Sequence, residues 1–133
     1  MGLVVDSDVW ILAERMGGKL DLARWSSYGG AYMSAVTASE LLAGVERANT
    51  AQRKAKRGAF VESLLTIIPV LEFSMPIART HARMVSALSK NVTAGAHDAL
   101  IAATAIHHGY AVLTRNISDF KIFSGLKVEA FQL

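Results

Sequence analysis

Cysteine is absent from this chain of 133 residues, and that absence removes two classes of site at once. Without thiols the chain has neither a disulfide framework nor a thiolate metal site, so a bound metal must be held by oxygen or histidine ligands. Proline occurs only twice, and no linker or low-complexity tract is visible. The length and a hydrophobic content of 52% predict one domain over residues 1–133.

Long apolar runs are also missing. The most apolar internal stretches, 64–71 and 99–106, are far shorter than the ~20 residues of a bilayer span. No basic leader precedes Asp6, which interrupts the first apolar run too early for a signal peptide. We therefore expect a cytoplasmic protein that makes no membrane contact. The GxGxxG and GxxxxGK[ST] patterns are absent too, which disfavours dinucleotide and nucleoside triphosphate binding.

Positive charge is present but unevenly spread. The formal net charge is +3, and the segment from Arg53 to Arg57 contains four basic residues in five positions. Such a run could bind the phosphates of a nucleic acid. A solvated helix face explains the same pattern, so both interpretations stay open.

Short apolar strands alternate with helical patterns along the chain. We predict strands at 3–5, 31–33, 70–73, 111–114 and 128–131. We predict helices at 9–16, 38–48, 50–68, 76–88 and 97–107, a short one after Asn116, and a possible one at 20–25. This order predicts an α/β fold, a three-layer α/β/α sandwich with a mainly parallel sheet of about five strands.

Acidic residues follow the predicted strands at the edge where parallel α/β sheets bind ligands. Asp6 ends the first strand, Glu40 lies in the first turn of the helix after the second, and Asp119 follows the strand ending at Thr114. Asp98 would reach the same edge if its helix runs antiparallel to the strands. Four such acids would repel one another unless a cation neutralised them, and their hard oxygens suit Mg²⁺ or Mn²⁺. A metal there could activate water for phosphodiester hydrolysis.

Taken singly, each acid has a simpler explanation as a helix cap. Glu40 can complete a capping box with Thr37, and Asp6 and Asp98 can be N-caps. Asp119 can form a similar box with Asn116. Only the four acids together favour a metal site.

Neighbouring polar residues could support such a site. The hydroxyls of Ser7 and Thr114 and the amide of Asn116 could orient ligands, although turn and cap roles explain them equally well. His97, beside Asp98, is the only histidine that we single out.

Large aromatic residues complete the analysis of the residues themselves. We assign Trp10, Trp25, Phe60 and Phe73 to the core, because each lies on an apolar face of its predicted element. The alternative is that some of them line a protein interface.

Four segments together resemble the PIN-domain nucleases, and most closely the VapC-type toxins of bacterial toxin–antitoxin pairs. The segments are VVDSDV at 4–9, SEL at 39–41, GAHDALIAA at 95–103, and LTRN at 113–116 leading to Asp119. The resemblance covers nearly the whole chain, and its last two segments in tandem are the specific ones. Asp8 departs from the family pattern, since these toxins often carry Asn or another small polar residue there. We interpret Asp8 as a cap of the first helix, with added charge at the site as the alternative.

The resemblance implies a PIN-like fold and a role for each acid. Asp6, Glu40 and Asp98 would be the core metal-binding and catalytic acids and Asp119 the fourth, with Thr114 and Asn116 in support. It also implies an endoribonuclease that depends on Mg²⁺ or Mn²⁺ and cleaves structured RNA such as tRNA or rRNA. A homodimer and a VapB-like antitoxin are the implied partners.

Two other classes of function stay open. A protein of the same fold could keep the acids as caps and act as a non-catalytic scaffold that binds RNA or protein. A phosphoacceptor signalling domain has a similar length and acids after the first strand. That class requires a lysine after a late strand, where this chain has Arg115 and Asn116.

Overall fold

The computed structural model describes residues 1–18 and 20–132. Its strands are β1 (Gly2–Val5), β2 (Gly30–Ser34), β3 (Val70–Leu71), β4 (Ala111–Thr114) and β5 (Val128–Ala130). Its α-helices are α1 (Ser7–Arg15), α2 (Ala35–Glu46), α3 (Ala51–Ile67), α4 (Met75–Ser86), α5 (Ala96–His108) and α6 (Ile117–Lys121). The order of strands and α-helices is the predicted one. None of the helices in the described ranges is long and apolar enough to cross a bilayer.

The strands form one parallel sheet in the order β3-β2-β1-β4-β5. From the central β1 the chain moves outward to β3, and then returns to the other side of β1 for β4 and β5. The strand order therefore reverses between β1 and β4. Ligands of parallel α/β sheets bind at such a point, beyond the carboxyl ends of the strands.

Helices cover both faces of the sheet, which explains why β1 and β4 are buried throughout. On one face Leu3 and Val5 pack with Trp10 of α1. On the other face Val4 packs with Ile101 of α5 and with Phe120 of α6. Burying one such side chain contributes about 1.5–3 kcal/mol to folding. The predicted three-layer α/β/α sandwich is confirmed.

The start of α2 differs from the prediction. The helix begins at Ala35, and the hydroxyl of its N-cap Ser34 accepts a hydrogen bond from the Val36 N–H at 3.1 Å. Thr37 is fully buried inside the first turn. The predicted capping box of Thr37 and Glu40 is therefore wrong, and Glu40 lies in the second turn of the helix.

Three further local predictions are wrong in detail. The segment predicted as a helix at 20–25 instead contains a 3₁₀ helix at Ala23–Tyr28. Strand β3 ends at Leu71, two residues early, because the chain leaves the sheet edge there. Phe73, which follows this edge strand, is 44% exposed and is not a core residue. Trp10 and Trp25 are buried, as predicted, and Phe60 is partly buried.

Candidate active site

The carboxyl ends of β1 and β4 are joined by hydrogen bonds around the Asp6 carboxylate. The Thr114 hydroxyl donates to Asp6 Oδ2 at 2.9 Å and accepts from the Asn116 N–H at 3.0 Å. The Ser7 N–H donates to Asp6 Oδ1 at 2.8 Å, which also makes Asp6 the N-cap of α1. Each oxygen of Asp6 thus has one donor that fixes its direction. Among the described residues, Ser7 contributes its backbone N–H to this network and not its hydroxyl.

A negative charge on the Asp6 carboxylate costs free energy in the folded protein. Its residue surface is only 6% exposed, and the pKa of its carboxyl is raised to about 7, mainly because of this burial. The neighbouring negative charge of Asp8 contributes to the rise, while the hydrogen bonds from Thr114 and Ser7 oppose it. Ionised Asp6 therefore requires a positive charge nearby to be stable.

Asp98 approaches Asp6 from the other side of the sheet. It is the third residue of α5, whose N-cap is Gly95, so its predicted role as N-cap is wrong. A Cβ atom on Gly95 would lie 2.8 Å from Asp98 Oδ2, so Asp98 folds back over the start of the helix and Gly95 leaves it room. Burial raises the pKa of Asp98, and the negative charges of Asp119 and Glu40 raise it further.

Glu40 points from α2 toward the same group of acids, which contains Asp6 and Asp98. Its Oε2 atom lies 3.6 Å from Nδ1 of His97, which is largely exposed. Its Oε1 atom is buried and has no hydrogen-bond partner among the described residues. A second-turn residue gains nothing from the free N–H groups at the helix start, so helix capping does not explain this acid.

Asp119 completes the predicted set at the exposed rim of the cluster. It is the third residue of α6, and its charge acts on Asp98. The N-cap Asn116 makes no side-chain capping bond, so the predicted box of Asn116 and Asp119 does not form. Its side-chain amide donates instead to Asp8 Oδ2 at 3.1 Å.

Asp8 is the site residue that sequence reasoning assigned wrongly. It does not cap α1, because Asp6 does. Its Oδ2 atom accepts hydrogen bonds from the turn between β4 and α6, and its Oδ1 atom is buried without a partner among the described residues. Burial raises its pKa, and the hydrogen bond from the Arg115 N–H opposes this rise. The spacing of the two acids in Asp6-Ser7-Asp8 was the only signal in the sequence.

Five carboxylates therefore share one electrostatic environment, and their donor chemistry fits a hard divalent cation. Two buried oxygens, Asp8 Oδ1 and Glu40 Oε1, lack donors within residues 1–18 and 20–132. Unpaired buried acceptors are costly, and a cation would satisfy them. In the same ranges no three acidic or histidine side chains already converge on one point. Binding one ion through three of them would thus require side-chain rotations.

A cavity of about 270 Å³ opens beside Glu40 between α1, α2 and α3. On its wall Arg57 Nε lies 3.4 Å from Glu14 Oε1, and Arg57 Nη1 donates to the Gly44 carbonyl at 3.1 Å. One member of the basic run thus ties three helices together. The others, Arg53 and the two lysines between it and Arg57, are exposed.

Comparison with known proteins gives consistent relatives. A family model described as PIN domain matches residues 3–124. Ribonuclease VapC1 of Rickettsia felis is 44% identical over 96% of this chain and 95% of that protein. Ribonuclease VapC of Rickettsia bellii is 37% identical with the same coverage.

Two solved structures are similar along nearly the full length. VapBC2 from Rickettsia felis, bound to a DNA fragment from its promoter, has a TM-score of 0.86 at 20% identity and covers 99% of this chain and 100% of that one. VapBC-5 from Mycobacterium tuberculosis, a member of the VapBC family of toxin–antitoxin systems, has a TM-score of 0.75 at 27% identity, covering 99% and 98%. The first likeness concerns the fold alone.

Proposed function

Because the chain belongs to the PIN-domain family, and within it to the VapC ribonucleases, we propose that it is a metal-dependent endoribonuclease toxin that cleaves structured RNA such as tRNA or rRNA. The observation that carries this proposal is the group of repelling carboxylates at the reversal of strand order: Asp6, Glu40, Asp98 and Asp119. Oxygen ligands without thiolates favour Mg²⁺ or Mn²⁺.

The acids would divide the work according to their surroundings. Asp6, which is buried, and Asp98, which is partly buried, would bind the cation directly, and Glu40 would bind it through its unpaired Oε1 atom. Asp119 at the rim would bind through a water or hold the attacking water in place. When bound, the cation lowers the pKa of a water ligand and offsets the charge that develops on the phosphoryl oxygens.

The remaining polar residues keep these acids in position. Thr114 and the Ser7 N–H fix the two oxygens of Asp6, and Asn116 fixes the hydroxyl of Thr114 through its backbone N–H. Such supporting contacts decide which lone pair an acid turns toward a metal. They are therefore part of the proposed site although they would touch neither metal nor RNA.

Exposed positive charge on α3 supports an RNA substrate. Arg53, Lys54 and Lys56 are exposed near the start of α3, where Lys54 Nζ lies 3.4 Å from Glu46 Oε2. Contacts of this kind with phosphates are independent of sequence and weaken as salt rises. We expect RNA binding to depend on ionic strength in this way.

We also propose two protein partners, a second copy of this chain and a VapB-like antitoxin. The related VapBC structures belong to toxin–antitoxin complexes, which supports the antitoxin. Exposed apolar side chains near the edge strand β3 support the homodimer, with Ile67 at 70% exposure and Met75 at 65%. Apolar surface of this kind marks an interface when it is contiguous.

The test is cleavage of total bacterial RNA by purified, antitoxin-free protein. We expect discrete fragments with Mg²⁺ or Mn²⁺, none with EDTA, and none from folded Asp98→Asn or Asp6→Ala. Glu62→Gln, an exposed acid on α3, is the matched control and should cleave like the parent. Absence of cleavage by the metal-loaded parent would favour the non-catalytic scaffold instead.

A further inference from the structure

Asp8 lies in the first turn of α1, where its carboxylate faces the turn between β4 and α6. The Arg115 N–H and the Asn116 side-chain amide each donate to its Oδ2 atom at 3.1 Å. Both groups are N–H donors that cannot accept, and donors of this kind stabilise the ionised form of a carboxylate. The two donors at Oδ2 therefore favour the ionised form of Asp8.

The third neighbour of this oxygen is a weaker partner. The Thr114 hydroxyl lies 3.4 Å from Asp8 Oδ2 but only 2.9 Å from Asp6 Oδ2. One hydroxyl has one proton to donate, and the shorter contact takes it. Asp8 is thus held by the turn between β4 and α6.

Anchoring Oδ2 fixes the direction of the second oxygen as well. Asp8 Oδ1 is buried and receives no hydrogen bond from residues 1–18 or 20–132. If Asp8 only braced α1 against the turn, both oxygens could be paired or the second could face water. Instead, Asp8 Oδ1 is shielded from solvent and has no hydrogen-bond partner among the described residues. This arrangement costs free energy unless a cation binds the oxygen.

The position of this oxygen agrees with the rest of the cluster. Asp8 is close enough for its negative charge to act on both Asp6, at the end of β1, and Asp98, in the first turn of α5. We propose that Asp8 is a fifth metal-ligating acid of this chain, binding the divalent cation through Oδ1 while the β4–α6 turn holds Oδ2. This inference rests on the proposed metal-dependent function.

The test measures cation binding directly, without RNA. Mn²⁺ titration of the antitoxin-free full chain, followed by calorimetry and by electron paramagnetic resonance, gives the Kd and the number of ions. Asp8→Asn keeps an acceptor oxygen for Arg115 and Asn116 but puts an amide NH₂ in place of Oδ1. We expect its Kd for Mn²⁺ to rise about 10-fold or more.

Two variants control for folding and for charge. Glu62→Gln removes an exposed acid of α3 outside the cluster and should leave the Kd unchanged. Asp8→Ser is smaller and uncharged, and should weaken binding at least as much as Asp8→Asn. It gives a second measurement if the amide is not accommodated. Thermal unfolding confirms that each variant is folded.

The outcomes separate this inference from the proposed function. A parent that binds Mn²⁺, loses it in Asp6→Ala and keeps its affinity in both Asp8 variants would overturn the assignment of Asp8 alone. If Asp8→Asn bound Mn²⁺ with the Kd of the parent, the assignment would likewise be wrong, and Asp8 would only hold α1 against the β4–α6 turn. A parent that binds no Mn²⁺ would overturn both the metal-dependent function and the role of Asp8.

Discussion

Replacing Asp6 by Asn should stabilise the metal-free protein at neutral pH and abolish RNA cleavage. In the folded chain the pKa of Asp6 is about 7, above the ordinary value of 3.8. A raised pKa means that the folded state binds this proton more tightly than the unfolded state does. The contribution of Asp6 to stability is therefore fully present below about pH 4 and is lost as the pH rises through about 7.

The size of the effect follows from the pKa difference. About three pKa units at 1.36 kcal/mol each set an upper limit of about 4 kcal/mol for the stability lost by pH 8. Part of the rise comes from the negative charge of Asp8, so part of this loss belongs to the interaction between the two acids. We therefore expect Asp6→Asn to raise the free energy of unfolding by about 2–4 kcal/mol at pH 8.

Asn fits the space with its hydrogen bonds kept. Its Oδ1 atom can accept from the Ser7 N–H as Asp6 Oδ1 does. Its Nδ2 group can donate to the Thr114 hydroxyl, whose proton then turns to Asp8 Oδ2 at 3.4 Å. The substitution thus removes the buried charge and keeps a hydrogen bond at the position of each Asp6 oxygen.

The assay is urea unfolding in EDTA at pH 5 and pH 8. The parent should lose stability between the two values, Asp6→Asn should lose clearly less, and the Glu62→Gln control should follow the parent. Added Mg²⁺ should restore the stability of the parent at pH 8 because the ion binds only the folded state. It should stabilise the Asp6→Asn variant less. Identical pH profiles for parent and Asp6→Asn in EDTA would refute the reasoning.

Two further predictions concern the scaffold around the site. Phe120→Ala should lower the free energy of unfolding by about 3–5 kcal/mol in urea titrations, because the ring is fully buried beside Asp119. A loss below ~1 kcal/mol would mean that α6 is not packed as described. Gly109→Ala should cost about 1–2 kcal/mol, because φ is +71° at the end of α5 and no atom crowds the new Cβ. By contrast, Gly44→Ala inside α2 should raise the free energy of unfolding by about 0.5–1 kcal/mol. Thermal unfolding that shifts in the same direction for both glycine variants would contradict this account.

The fold could be predicted because its signals are local and repeated. Each strand is a short apolar run, each helix an amphipathic one, and their alternation permits few parallel arrangements. Helix ends were less certain, because Ser34 and Thr37 both have hydroxyls able to cap α2. Only packing decides between them: Thr37 is buried, so the helix must start earlier.

The acids could be placed at one edge of the sheet, but their orientation could not. Asp8 was interpreted as a cap because capping partners are near in sequence and visible there. Its actual donors, at Arg115 and Asn116, lie 107 and 108 residues further along the chain. A pairing over that distance depends on β1 and β4 being neighbours in the sheet.

Capping and catalysis are not exclusive explanations for an acid in this fold. Asp6 caps α1 through Oδ1, and the same bond orients the carboxylate toward the cluster. Asp98 and Asp119 lie in first turns, where the helix dipole favours a negative charge whether or not a metal binds. Glu40 has neither benefit, since it lies in a second turn and keeps a buried oxygen unpaired among the described residues. A buried acid oxygen without a partner among the described residues is best explained by a ligand, which makes Glu40 the strongest single argument that this cluster binds a cation.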